Sequence, residues 1–332
     1  MRLVVLFAFV GCSAPARDTP VDAQAVDAPP VDPPLERRVH HVLVGETEII
    51  WAHGSFPPCS LEFGCSTRGP SLTYWSRAAR MVSNRVENGT GSLRLAGSEA
   101  SFFVVGGPDH DQMYLRRLDG GTGVSLSVPH ALTVGPAVDD THVYWGEAAT
   151  NGGVYSLYRA LRTGDGSDRS LVATTTTTAP PEQLTYAAGY LWWLDPATSQ
   201  RITRVPITGG AIETLSVSSE TLVAYDDVVY ASSARSNGDG TWTSEVGHLD
   251  GNGGFEATAE QTSNDGAVAR YIVKTADGLY WSTNDGNVYR TDLAGGAIET
   301  IAAHDTAGYA FAVLPGEILV EFTRSGFRSI PR

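Results

Sequence analysis

An all-β chain folded as a β-propeller is the architecture this sequence predicts, and three observations predict it. The phrase Gly209-Gly210-Ala211-Ile212-Glu213-Thr214 recurs letter for letter as Gly295-Gly296-Ala297-Ile298-Glu299-Thr300, 86 residues later, which is two periods of 43. Each copy follows a strand that carries arginine, Arg201 to Ile207 and Asn287 to Leu293, and before it an aromatic strand, Leu191-Trp192-Trp193 and Leu279-Tyr280-Trp281. No strong helical period competes with this pattern. A repeat of that length made only of short strands cannot bury both faces of its sheet until neighbouring sheets pack on it, which is how a propeller is built.

The chain opens with an export signal, residues 1 to 12. Met1-Arg2 is a positive start, Leu3 to Val10 an apolar stretch, and Gly11-Cys12 a small residue followed by cysteine. The segment resembles the lipobox of bacterial lipoproteins, with Phe9 where leucine is usual. The resemblance implies that Cys12 is lipidated and becomes the mature N-terminus, on an outer membrane, a cell surface or in the periplasm. Cleavage after Ala14-Pro15-Ala16, giving a secreted protein, is the alternative.

Residues 13 to 38 alternate proline, aspartate and alanine, with Pro29-Pro30 and Pro33-Pro34. Such a segment lacks the apolar content for a core and reads as a solvated, disordered linker. Residues 39 to 332 form the propeller. Aligned on Trp281, its units place Trp51, Val104, Trp145, Trp193, Ala231, Trp281 and Val320 at equivalent strand positions, at spacings of 53, 41, 48, 38, 50 and 39. That predicts seven blades, with six or eight as alternatives. Second strands such as Val154 to Arg159 and Val288-Tyr289-Arg290 follow, and turns such as Thr208-Gly209-Gly210 reverse the chain. Because a propeller leaves no open edge, the stretch 35 to 44 is expected to help close the ring at the last unit, which runs to Arg332.

The pattern Leu279-Tyr280-Trp281-Ser282, Gly286-Asn287-Val288-Tyr289-Arg290, Leu293-Ala294-Gly295-Gly296 is similar to the YWTD-type repeat of low-density-lipoprotein-receptor propellers and their bacterial surface relatives. Ser282-Thr283 stands where that family has Thr-Asp, and the family usually has six blades. The resemblance implies a binding role and transfers no catalytic residue.

The net charge of -14 is spread along the chain, so nucleic acid or an anionic membrane surface is not the expected partner, and membrane contact falls to the lipid anchor alone. One lysine, Lys274, stands beside 22 arginines. With Cys12 lipidated or removed, Cys59 and Cys65 remain as an even pair in an oxidising compartment, predicting a local disulfide. They sit in the longest loop, between Trp51 and Leu72, with Phe56 and Phe63.

That loop, together with Asp109, His110 and Glu147, is the candidate ligand face, for a protein, saccharide or peptide partner. A lid over an apolar gap is the competing reading of the loop. Trp75 and Trp242 fall off the period and are open to a surface role, whereas packing explains the tryptophans on it. Acidic, glycine-rich segments at 108–111, 163–168, 236–240 and 250–253 admit calcium, although aspartate and glycine are also what turns use. No catalytic motif or metal-ligand spacing is present. The rival to a monomeric binding module is a lactonase- or lyase-like propeller enzyme drawing on His41, Asp139, Asp140, Tyr186, Tyr225 and Asp226.

Overall fold

The computed structural model describes residues 39–45, 48–53, 71–87, 93–96, 99–104, 111–117, 124–128, 132–148, 153–177, 179–263, 268–283, 286–302, 311–323 and 326–332, all within the unit Pro33–Arg332. Cys12, the linker, the loop bearing Phe56, Cys59, Phe63 and Cys65, and the pair Asp109 and His110 lie outside the described residues.

The strands of the described residues form seven antiparallel sheets, six of four strands and one of three. Sheet one is Val39–Val44, Glu48–His53, Ser71–Ser76 and Met81–Glu87; sheet two is Leu93–Ala96, Glu99–Val104, Asp111–Arg117 and Val124–Val128. Sheet three is Leu132–Val138, His142–Ala148, Val154–Leu161 and Ser170–Thr176; sheet four is Glu182–Ala187, Tyr190–Asp195, Arg201–Pro206 and Glu213–Ser218. Sheet five is Thr221–Tyr225, Val228–Ser236, Trp242–Leu249 and Phe255–Ser263; sheet six is Ala269–Thr275, Gly278–Thr283, Val288–Thr291 and Glu299–Ala302. Sheet seven is Phe311–Leu314, Glu317–Thr323 and Gly326–Pro331. Chain neighbours are sheet neighbours throughout; first strands of successive sheets touch from sheet one to sheet six, sheet seven meets sheet one, and Tyr271 of sheet six meets Phe311 of sheet seven. The architecture is a β-propeller. No helix among the described residues is long and apolar enough to cross a membrane.

Every position aligned on Trp281 lies in the second strand of its sheet. Side chains alternate along a strand, so residues one apart face opposite neighbours. Trp193 packs with Val134, Tyr144 and Leu157 of the preceding sheet, whereas Trp192 packs with Leu222, Val229 and Leu249 of the following one. Trp145 meets Leu126 of sheet two, Trp281 meets Val246 and Ala259 of sheet five, and Trp51 meets Ala312, Leu314 and Leu319 of sheet seven. One rule therefore places a buried tryptophan in four seams, including the one that closes the ring.

The repeated phrase has a matching conformation. Gly209 and Gly295 adopt φ 85° and 81°, Gly210 and Gly296 φ 136° and 135°, values that only glycine holds without strain. A Cβ on Gly209 would stand 3.2 Å from the Val172 carbonyl and one on Gly295 2.9 Å from the Thr258 carbonyl. Each turn thus tucks under the fourth strand of the preceding sheet, where a side chain would not fit.

Of the stretch expected to help close the ring, residues 35–38 lie outside the described residues. Val39–Val44 is the first strand of sheet one, paired with Glu48–His53, and is no part of sheet seven. The seam is closed instead by the Trp51 and Trp75 cluster and by Arg80, whose guanidinium donates to both carboxylate oxygens of Glu317 at 2.7 and 2.8 Å. The hydroxyl of Tyr271, from sheet six, accepts from the Val42 amide at 3.1 Å and donates to the Val42 carbonyl at 2.9 Å, reaching sheet one past sheet seven. Trp75 is therefore a core residue, and Trp242 is 40% exposed.

Candidate functional site

Antiparallel order puts the connections after each second and fourth strand at one end of the sheets, and those after the first and third at the other. At the first of these ends lies Glu147, the described member of the candidate face. It is not presented to solvent: it is 6% exposed, accepts from Trp145 Nε1 at 2.6 Å and faces Arg169 Nη2 at 2.9 Å. The Arg169 guanidinium in turn lies 3.7 Å from the centre of the Tyr158 ring. Burial pushes the Glu147 carboxyl up, against the opposing pull of Trp145 and Arg169. The group braces the seam between sheets two and three.

At the opposite end the residues named for an enzyme are engaged one by one in local structure. Asp139 accepts from the Thr141 and His142 amides, each at 2.6 Å, and from the Tyr144 hydroxyl at 2.6 Å. Burial pushes its carboxyl up, but these donors together hold it below its usual value. Tyr186 stacks on Tyr144 with ring centres 6.0 Å apart. Tyr225 donates to the Ile272 carbonyl at 3.0 Å, and Asp226 is ion-paired with Lys274. Asp140 is exposed, and the side chain of His41 lies outside the description. Among the described residues no group of three or more His, Cys, Asp and Glu could hold a metal ion. Asp165, Asp239 and Asp250 accept backbone amides of their own turns.

The first two strands of sheets four and five show where polar side chains near the axis go. Gln183 of sheet four donates to the Glu220 carbonyl at 3.0 Å and accepts from the Leu222 amide at 2.7 Å. Thr221, Tyr225 and Ser232 of sheet five donate to the carbonyls of Arg270, Ile272 and Ala269. Sheet four thus covers otherwise unpaired backbone of the first strand of sheet five, sheet five that of sheet six, and the Tyr271 bond to Val42 does the same for sheet one.

A cleft of about 460 Å³ opens between sheets six and seven, lined by Asp277, Arg290, Glu299, Ile301, Gly316 and Arg332. Arg290 and Arg332 flank the Tyr280 ring, at 5.9 and 5.2 Å from its centre. Arg332 donates to the Tyr280 hydroxyl at 2.7 Å and is ion-paired with Asp277, whose backbone carbonyl accepts from Arg290 at 2.9 Å. The guanidiniums lie inside, and Asp277, Asp292 and Glu299 stand towards solvent. This cleft was not foreseen, because its walls come from strands that carry no unusual motif. The one available signal was Arg290 opposite Tyr280, the counterpart of Arg204 opposite Trp192 and Arg159 opposite Tyr144.

No family model and no curated protein matches the chain. Solved structures do. The computationally designed Ika8 protein is 10% identical over 90% of this chain and 97% of its own, with a TM-score of 0.53. The uncharacterized protein lmo1340 from Listeria monocytogenes EGD-e is 8% identical over 86% of this chain and 90% of its own, at 0.52. Kluyveromyces lactis Hsv2 with loop 6CD replaced by a Gly-Ser linker is 8% identical over 86% and 89%, at 0.51. At these identities the likeness shows the fold alone.

Proposed function

We propose that this chain is an exported, membrane-tethered seven-bladed propeller, YWTD-like in its repeat, that binds or scaffolds a partner and does not transform a substrate. The observation that carries the reading is how polar side chains of the first strands, and Ser232 of a second strand, are used. Gln183, Thr221, Tyr225, Ser232 and Tyr271 hydrogen-bond the backbone of neighbouring sheets, so the residues best placed for axial chemistry hold the ring together. Recognition then falls to the ends and the rim, where the acidic mouth of the six–seven cleft suits a partner bearing positive charge.

Two measurements test this. A clickable fatty acid fed to cells should label the wild type and not Cys12→Ser, and an unlabelled, soluble wild type removes the tether. Photo-crosslinking residues placed at Asp292 and Glu299 in the same cells should capture a discrete partner. A ladder identical to that from a position on the outer strand of sheet three, such as Leu171, overturns a partner at the cleft.

A further inference from the structure

The seam between sheets five and six changes character along its height. Cross-strand partners share a face, so three rows of sheet five look towards sheet six: Ser232, Val246 and Ala259; then Ala234, Ser244 and Gln261; then Ser236, Trp242 and Ser263. The first row is dry core, packed with Trp281. Above it the two upper rows are Ala234 with hydroxyl, amide and indole side chains and carry no charge among the described residues; Thr283 lies beside Ala269 below them and the exposed Trp242 stands at the rim. Ser244 is only 6% exposed, yet its Oγ has no hydrogen-bond partner. A buried hydroxyl left unpaired costs free energy unless something outside the chain satisfies it.

The loop carrying Trp242 is held rigidly. Asn237 donates to the Thr241 and Thr243 hydroxyls at 2.8 and 3.1 Å, and Asp239 accepts from the Thr241 amide and hydroxyl at 2.9 and 2.6 Å. Arg235 pairs with Glu245 of the same hairpin and with Glu260 of the fourth strand on the opposite face, which leaves Asp239 as the acidic group of the turn.

The geometry points to a saccharide subsite at this recess, with Trp242 stacking on the apolar face of a sugar ring and Ser244 and Gln261 bonding its hydroxyls. An indole beside uncharged hydroxyl and amide groups is the complement of a sugar, which is apolar on its ring face and hydroxylated at its edge. An extended peptide would seek an open strand edge, and the strand bearing Trp242 is paired on both sides up to that residue. The assignment deepens the binding reading and rests on it, at the end of the molecule opposite the turns that form the cleft.

Trp242 is the exposed one of the seven tryptophans, so the iodide-quenchable part of tryptophan emission reads this ring. Purified full-length protein is titrated with maltopentaose, cellopentaose and chitopentaose, with iodide protection and calorimetry as readouts. At least one sugar should protect the emission saturably. By calorimetry Trp242→Ala should weaken that sugar about tenfold and Ser244→Ala about threefold, with the melting temperature of each variant close to wild type. Absence of protection by all three sugars, or unchanged affinity in both folded variants, overturns the assignment. If cross-links at Asp292 and Glu299 persist in that case, the saccharide falls and the binding module stands.

Discussion

The seam between sheets three and four and the seam between sheets six and seven begin with the same parts and end differently. In the first, Arg159 lies opposite Tyr144 and reaches across to the Ile207 carbonyl of sheet four at 3.0 Å, closing over a core of Tyr144, Leu184 and Trp193. In the second, Arg290 lies opposite Tyr280 in the same register, but the facing sheet seven has three strands among the described residues and presents Arg332. Two guanidiniums there gather around Asp277, and a cleft remains. The difference teaches that the residue pair does not decide whether a seam is sealed or open. What the next sheet offers decides it.

The strongest way to break this comparison is to remove the element the closed seams share. Trp145, Trp193 and Trp281 each fill space between two sheets, so truncation to alanine should cost about 3 to 5 kcal/mol, read from chemical denaturation. Unaltered melting in two of the three would mean that the seams are not built on these rings.

A finer test exchanges the arginines. Arg204 is almost wholly buried against Tyr190 and Trp192, bonds Glu213 at 2.7 Å and reaches the Gly251 carbonyl of sheet five. Arg204→Met should lower stability by about 2 kcal/mol, since it removes the hydrogen bonds of an almost wholly buried guanidinium and its stacking on two rings. Arg290→Met acts on side chains that water already screens and should cost under about 1 kcal/mol. Equal losses would erase the distinction between a closed seam, here four–five, and the open one.

The smallest effect is expected at the closing seam. The Arg80 hydrogen bonds, with Ser329, hold the Glu317 carboxyl down at about 2, below its ordinary 4.5. A depressed carboxyl stabilises the fold above its unfolded value and loses that contribution as pH falls through the folded one. Acid titration of wild type should therefore show a component between about pH 4.5 and 2 that Arg80→Met lacks. Superimposable curves would mean that the pair contributes nothing to closure.

The closed seams were legible in the sequence and the open one was not. An aromatic at every second strand is periodic information, and Trp51, Trp145, Trp193 and Trp281 announce it. Closure depends on pairs far apart in the chain, Arg80 with Glu317 and Val42 with Tyr271, and no local pattern marks residues that meet once. Trp75 and Trp242 show the same limit. Both fall off the period and both lie in a third strand, yet Trp75 lies opposite Ile49 inside the closing cluster, whereas Trp242 stands two rows above the packed core of its seam. Height within a seam is a property of the assembled sheets. Glu147 shows a related limit: its place near a connecting end is readable, and its burial beside Arg169 is not.

The Tyr271 hydroxyl that holds both backbone groups of Val42 also has a mechanical consequence. Tension entering the chain ahead of Val39 would peel the first strand of sheet one from its single partner, one ladder bond after another, the mode in which a strand resists least. Three residues in, the peel meets a rivet set from sheet six, and to pass it the load must also shift a ring packed edge-on against Phe311 of sheet seven. Force applied at that end is thereby carried two sheets round the ring before the first sheet can unravel.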